Sequence, residues 1–482
     1  MNYRQILRLI SLLNFFLGLS MIAPLIVSLI YKDGCAVPIF YSFLITSGTS
    51  ITIFFIAKVD NYSSLNQREG MAIVTLGWIS AGLFGALPFL LSGSIGNITD
   101  AYFESISGFT TTGASILNDI ESIPEGILLW RSLTQWMGGM GIIVLSIAIL
   151  PFLGVGGMQL YKAEIPSPVV DKLQPRISET AKALWKVYLL ITSLEILFLW
   201  AGGMPIIDSI NHAFCTMPTG GFSTQNASIA QYNSVYFDTV IIIFMVLAGV
   251  NFSLHFKFLK GEFKIFSKDP ECRIFLLSLI ILIILVTFDI HKTVYISISA
   301  ALRYAAFQVI SIITTTGFVT ADYTKWPALS QIILLSCMFV GAMAGSTGGA
   351  IKIMRIILLI KHGYQEIFRL IHPHAVRSIK LGGKPVPADV LTSVWGFFIL
   401  YTALYVGAVI IMSYIGMDIF SSFASVAATI GNVGPGFGSV GPVQNYLLVP
   451  TLGKWVLIFC MLLGRLEIYT VIVMLAPAYW KK

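Results

Sequence analysis

Long apolar runs alternate with short polar loops along the whole chain. Ten of these runs, at about 9–30, 38–57, 71–92, 128–150, 184–203, 236–256, 273–290, 329–360, 391–414 and 452–476, come close to or exceed the ~20 residues a helix needs to cross a bilayer. Four shorter apolar pieces of roughly 10–13 residues lie between runs three and four, five and six, seven and eight, and nine and ten. They are too short to cross, so they predict re-entrant half-helices. Backbone that leaves the helical form at membrane depth persists only inside protein or along a wet cavity.

Each half-helix leads into a glycine-centred turn. The four turns read Thr110-Thr111-Thr112-Gly113-Ala114, Thr219-Gly220-Gly221-Phe222, Thr314-Thr315-Thr316-Gly317-Phe318 and Asn432-Val433-Gly434-Pro435. Their glycines recur roughly every 100 residues, a repeat period. The repeating unit is span, half-helix, glycine turn, span. The expected fold is therefore an all-α polytopic membrane protein with ten transmembrane helices and four re-entrant pore half-helices, four walls around one hole. The expected segments are a two-helix N-terminal domain at 1–66 and pore repeats at 67–160, 161–262, 263–384 and 385–482.

Composition agrees with this pattern. Apolar residues make up 56% of the chain and charged residues 11%, against roughly 25% charged in a soluble domain. The net charge of +7 does not point to nucleic acid, because the basic residues are spread through loops with no aromatic-interleaved face. The five cysteines and six histidines show no metal-ligand spacing. The N-terminal run from Leu9 to Ile30 lacks a small-x-small cleavage site and is expected to stay as a membrane helix.

Charge orients the spans. With the N-terminus inside, predicted cytoplasmic stretches hold 23 of the 30 Lys and Arg residues. They include Lys162, Lys172, Arg176, Lys257, Lys260, Lys264, Lys268 and Lys481. That bias follows the positive-inside rule for an even span count with both termini cytoplasmic. It places all four turns on the outer side.

The turns carry the candidate chemistry. A monovalent cation gives up its water only where oxygens replace it, and backbone carbonyls do so without a buried full charge. Glycine allows positive φ and close approach, and threonine hydroxyls add oxygens. The candidate ion-binding residues are Thr111, Thr112, Gly113, Thr219, Gly220, Gly221, Thr315, Thr316, Gly317, Asn432, Val433 and Gly434. Gly220 and Gly221 compete for the centre of turn two; Gly221 is preferred because Gly-Phe then matches Gly317-Phe318. Half-helix C-termini aimed at the membrane centre favour a cation there. Asp100, Glu104 and Asp208 stand where they would draw cations to the mouth.

Two further features are expected on the inner side. The eighth run holds Gly341-Ala342-Met343-Ala344-Gly345-Ser346-Thr347-Gly348-Gly349-Ala350, then Lys352 and Arg355. So many glycines make a poor helix interior, at up to ~1 kcal/mol each against alanine. This predicts a broken helix with an intramembrane loop at 341–350, either a movable gate built on Gly345, Ser346, Thr347, Gly348, Gly349 and Lys352 or a tight crossing. Arg465 sits within the tenth run. An intramembrane arginine faces a cavity or a partner, so it reads as an electrostatic barrier or as half of a structural ion pair. Glu467, two residues on, would not share its helical face, and Lys352 or Arg131 are its candidate partners.

These turns resemble those of the Trk/Ktr/HKT superfamily, and within it the membrane subunits of bacterial Trk potassium-uptake systems. The run Trp130-Arg131-Ser132-Leu133-Thr134-Gln135-Trp136-Met137-Gly138-Gly139-Met140-Gly141 and the segment Gly464-Arg465-Leu466-Glu467 are similar as well. The resemblance implies four pore-loop repeats around a pseudo-fourfold axis, a homodimer and potassium (K+) as the transported ion in the bacterial inner membrane. It implies a cytosolic TrkA-like nucleotide-binding regulatory subunit on the inner face. Gly113, Gly221, Gly317 and Gly434 would line the filter. Serine at the first of these accompanies sodium preference in the family, so Gly113 implies potassium permeability. No organic cofactor is expected on this chain, since no dinucleotide or P-loop motif occurs.

Two transport readings follow, and neither is enzymatic. One is a gated, channel-like pore. The other is a potassium symporter coupled to proton or sodium, which would use ionisable residues in the spans; no acid–histidine chain is evident. A non-conducting membrane scaffold leaves the four turns without a role.

Overall fold

Proline and glycine divide the apolar runs into the elements seen in the computed structural model, which describes residues 1–58, 65–141, 177–374, 378–382 and 384–481. The end of the fourth expected span, 142–150, and the expected boundary between repeats one and two at 160/161 lie outside the described residues. So do Lys162, Lys172 and Arg176.

The protein is predominantly helical. Among the described residues, six helical segments are long and apolar enough to cross a membrane: Tyr3–Tyr31, Ala36–Ile56, Arg68–Leu91, Ala181–Ala201, Pro270–Ile290 and Ala388–Tyr414. Between 28% and 61% of each lies buried inside the protein, so much of their apolar surface is left for lipid. The third opens on a capping box at Asn66 and Glu69, and Glu69 also accepts the Asn2 amide at 2.8 Å. That tie fastens the N-terminal helices to the repeats.

The four half-helices are Ile98–Phe109, Ile206–Thr216, Ile298–Ile313 and Ile419–Ile430. Every residue from Ala101 to Phe109 is buried, as is every one from Ala424 to Ile430. This is the protein-lined setting that short helices at membrane depth require. After each turn comes an inner helix: Glu125–Met140, Val235–Gly249, Ala328–Cys337 and Thr451–Arg465. Three of the four start directly after a proline, at Pro124, Pro327 and Pro450, whose missing N–H costs nothing at a helix start.

Packing closes the repeats into a cycle. The second half-helix packs on the inner helix of repeat one, the third on that of repeat two, and the first on that of repeat four. Between repeats three and four, a Cβ at Gly431 would crowd the Met338 carbonyl. One buried apolar cluster joins the N-terminal helices to much of repeats one and four, and a second fills repeats two and three.

Two apolar runs read as continuous are interrupted. The run 236–256 bends by 100° between Val235–Gly249 and Phe252–Leu259, where the Asn251 side chain caps the new helix by accepting from the Ser253 amide at 2.8 Å. The run 452–476 breaks after Arg465, with Glu467 at φ 59° before Ile468–Leu475. The eighth run is broken as expected. Val340–Gly341 pairs in parallel with Ile351–Lys352, and the loop between them is pinched off at its base.

Candidate functional site

Each half-helix ends with no more than two residues between it and its glycine turn, so four partially negative C-termini converge on one place. All four turns then take the same conformation. Two left-handed residues stand one apart: Thr111 and Gly113, Thr219 and Gly221, Thr315 and Gly317, Asn432 and Gly434. This alternation settles the register of turn two, because Gly221, not Gly220, has positive φ. It also aligns the fourth turn, where Asn432 takes the place of the left-handed threonine.

The reversal sends the N–H groups backward. Thr112 N donates to Ser107 O at 2.9 Å, and Gly220 N to Cys215 O, Thr316 N to Ser311 O and Val433 N to Ala428 O at 2.8 Å each. No backbone N–H among the described residues takes up the carbonyl oxygens of these four residues. Those oxygens form a closed ring. A Cβ placed on Gly113 would overlap the carbonyl of Gly220; on Gly221, that of Thr316; on Gly317, that of Val433; on Gly434, that of Thr112. Each glycine is therefore the gap into which the next wall's oxygen fits.

Side chains brace the ring. Hydroxyl pairs Thr110–Thr112 and Thr314–Thr316 lie 2.7 and 2.8 Å apart, which makes turns one and three the matched pair. Asn432 Nδ2 donates to Thr112 Oγ1 at 2.9 Å and to Met461 O at 3.1 Å, joining wall four to wall one.

A further set escaped the sequence reading. Nine residues before each glycine stand Glu104, His212, Gln308 and Ser425, and the first three hold the segment that follows the turn. Glu104 accepts from Ser115 Oγ at 3.0 Å and Ile116 N at 2.9 Å. His212 Nε2 pairs with Ser223 Oγ at 3.1 Å. The Gln308 carboxamide, with its oxygen facing the turn, accepts from Thr320 N at 2.8 Å. The fixed offset of a polar residue within an apolar half-helix was the signal. Its chemistry differs in every copy, which hid it.

The expected acidic funnel is otherwise employed. Glu104 is fully buried against Arg131 at 2.7 Å, and Arg131 also donates to Ser223 O at 2.9 Å and lies over the Phe222 ring. Asp100 pairs with Lys454 at 2.6 Å, and Asp208 accepts from Thr224 at 2.8 Å. These carboxylates join walls or turns together. Outside the membrane segments, Asp418 caps the fourth half-helix, and hydrogen bonds from the Ser421 side chain and amide hold its carboxyl below the ordinary value.

Directly against the ring lies the loop 341–350. Gly349 N donates to Thr315 Oγ1 at 2.7 Å, and a Cβ on Gly349 would overlap the Gly431 carbonyl. Thr347 Oγ1 reaches Met217 O at 2.9 Å and Ala248 O at 3.2 Å. Phe252 N donates to Gly345 O at 3.0 Å. Lys352 Nζ turns back to Gly348 O. Arg465 ties the loop across: it donates to Thr347 O at 2.8 Å and to Gly138 O and Gly139 O at 2.5 and 2.9 Å. The loop thus contacts repeats two, three and four directly, and repeat one through Arg465. The partner of Glu467 is Arg355, at 3.1 and 2.5 Å, and not Lys352 or Arg131. The helix break at Glu467 frees its side chain from the helical spacing that had excluded near neighbours.

Known proteins are similar to this chain over its whole length. The family described as TrkH, cation transport protein, matches residues 41–482. The Trk system potassium uptake protein TrkH of Salmonella typhimurium is 44% identical over the full length of both chains, as is that of Escherichia coli K12. The Trk system potassium uptake protein TrkG of Escherichia coli K12 is 35% identical over all of this chain and 99% of its own. The crystal structure of the potassium transporter TrkH from Vibrio parahaemolyticus superposes with a TM-score of 0.90 at 40% identity, each chain covered in full.

Proposed function

This chain belongs to the TrkH family of cation transport proteins, and on that premise we propose that it takes up potassium across the bacterial inner membrane through a gated, channel-like pore. The observation that carries this reading is the closed ring of carbonyls from Thr112, Gly220, Thr316 and Val433. It supplies oxygens at short range without a buried full charge, as selection of a dehydrated monovalent cation requires. The relatives' names as potassium uptake proteins support potassium as the ion. An inside-negative potential, worth ~2.3 kcal/mol per 100 mV, drives it inward.

In this reading Thr111, Thr112, Gly113, Thr219, Gly220, Gly221, Thr315, Thr316, Gly317, Asn432, Val433 and Gly434 form the selectivity filter. Loop residues Gly345 to Gly349, with Lys352 and Arg465, form the gate. Repeats at 67–160, 161–262, 263–384 and 385–482 follow a two-helix domain at 1–66, with ten spans and cytoplasmic termini supported by the bias of Lys and Arg. The chain acts as a homodimer, and a cytosolic TrkA-like nucleotide-binding subunit on the basic inner face controls the gate.

The test is reversal potential. The purified chain in liposomes, held under opposed potassium and proton or sodium gradients, passes current whose reversal follows potassium alone. One observation favours the coupled reading: Glu195, fully buried in the helix that packs on the second half-helix, is an ionisable group in a span. A reversal potential that moved with the proton or sodium gradient would establish that reading instead.

A further inference from the structure

Turn two departs from its three counterparts at one place. Before its central glycine it carries Gly220, where the others carry Thr112, Thr316 and Val433. Gly220 lies outside the left-handed region, so its own backbone does not call for glycine. The reason is a neighbour. A Cβ at Gly220 would run into the carboxamide of Gln135, a fully buried residue on the inner helix of repeat one. Gln135 Nε2 donates to the Gly220 carbonyl at 2.7 Å, and its Oε1 accepts from Phe222 N at 3.2 Å. A backbone acceptor on one side and a backbone donor on the other leave a single orientation for the amide. The oxygen it holds is one of the four in the ring.

We propose that Gln135 is a specificity-determining positioning residue for ion selection. It stands in for the side chain that turn two lacks, clamps wall two from both sides of Gly221, and draws charge density from the Gly220 oxygen. Walls one and three are braced by their own threonines, so this clamp makes the ring unequal by construction. The inference rests on reading the ring as the selectivity filter. Loss of the clamp frees an oxygen of higher field strength on a less constrained wall, and both changes favour the smaller sodium ion.

The experiment compares potassium and sodium flux through the full-length chain in liposomes. Gln135→Met removes both hydrogen bonds at similar volume and lowers the potassium-to-sodium ratio by about tenfold, the scale of one hydrogen bond. Gly220→Thr alone forces its side chain into the Gln135 amide and lowers flux and ratio together. Combined with Gln135→Ala, it has room and rebuilds the threonine wall of turns one and three, so the pair regains selectivity lost by Gly220→Thr. This comparison decides the matter should Gln135→Met fail to fold. An unchanged ratio in Gln135→Met, or equal loss from Gly220→Thr with and without Gln135→Ala, overturns the inference while leaving the filter reading intact. A wild-type chain without selective potassium flux overturns both.

Discussion

Threonine rarely adopts positive φ, because its branched Cβ crowds the backbone, yet Thr111, Thr219 and Thr315 all do so. Such residues cost about 1–3 kcal/mol each and persist only where the surroundings over-determine them. Here the over-determination is visible: each turn's N–H is held by its half-helix, and each glycine is filled by the next wall's oxygen. The two left-handed positions in each turn are thus distinct in kind. The first carries Thr or Asn, and at the second a Cβ would overlap the next wall's oxygen. Gly113→Ser introduces a Cβ that overlaps the Gly220 oxygen and strains the backbone. It should lower the ratio of rubidium to sodium uptake by about tenfold or more, equivalent to at least ~1.4 kcal/mol of strain falling on the ring. An unaltered uptake ratio would remove Gly113 from the filter.

At the level of elements, the broken inner helices matter most. The loop 341–350 is held by several hydrogen bonds to repeat two, by Thr315 and by Arg465, the neutral ones worth about 0.5–1.5 kcal/mol net each. Deleting 345–349 should raise potassium flux in a protein that still folds; flux that stays level or disappears would argue against a gate. The half-helices pose a different question, that of their caps. Asp418 accepts from Ser421 N at 2.9 Å, and Asp418→Ala should destabilise the protein by about 0.5–2 kcal/mol. Because the folded state depresses the Asp418 pKa, its contribution is present at neutral pH and is lost as the pH falls below about 4. Thermal melts of wild type and variant in detergent should therefore converge in acid. A gap that persisted at low pH would assign the loss to something other than the ionised cap.

For the molecule as a whole, closure is the governing property. Repeat one is joined to repeat two by Ile120 N to Asn226 Oδ1 at 2.7 Å, and two to three by Ala230 N to Val319 O at 3.1 Å. Three joins four by Tyr323 Oη to Gly436 O at 3.0 Å, and four returns to one by Tyr446 N to Ser115 O at 2.8 Å. On the proposed reading this cycle encloses a pore within one chain, so a homodimer would hold two independent pathways. Native mass spectrometry should find twice the chain's mass. Linked dimers with one Gly113→Ser copy should show wild-type selectivity in half of the flux; a uniform intermediate ratio would point to one shared pathway.

Apolar run length and glycine spacing along the chain were sufficient to specify a helical membrane protein of four glycine-turn repeats, and a glycine-rich break in the eighth run. Those properties are local: a helix long enough to cross, or a stretch too glycine-rich to stay helical, announces itself in neighbouring residues. The chain could not say that Glu104 serves Arg131, that Glu467 belongs to Arg355, that the sixth and tenth runs break, or that Gly220 makes room for Gln135. The pairings of Glu467 with Arg355 and of Gly220 with Gln135 depend on which repeat lies beside which, and partners such as Asn432 and Thr112 are over three hundred residues apart. Sequence set the type of wall. Only the cyclic packing of the repeats placed each wall's oxygen in the next wall's gap, since that contact exists between repeats and within none of them.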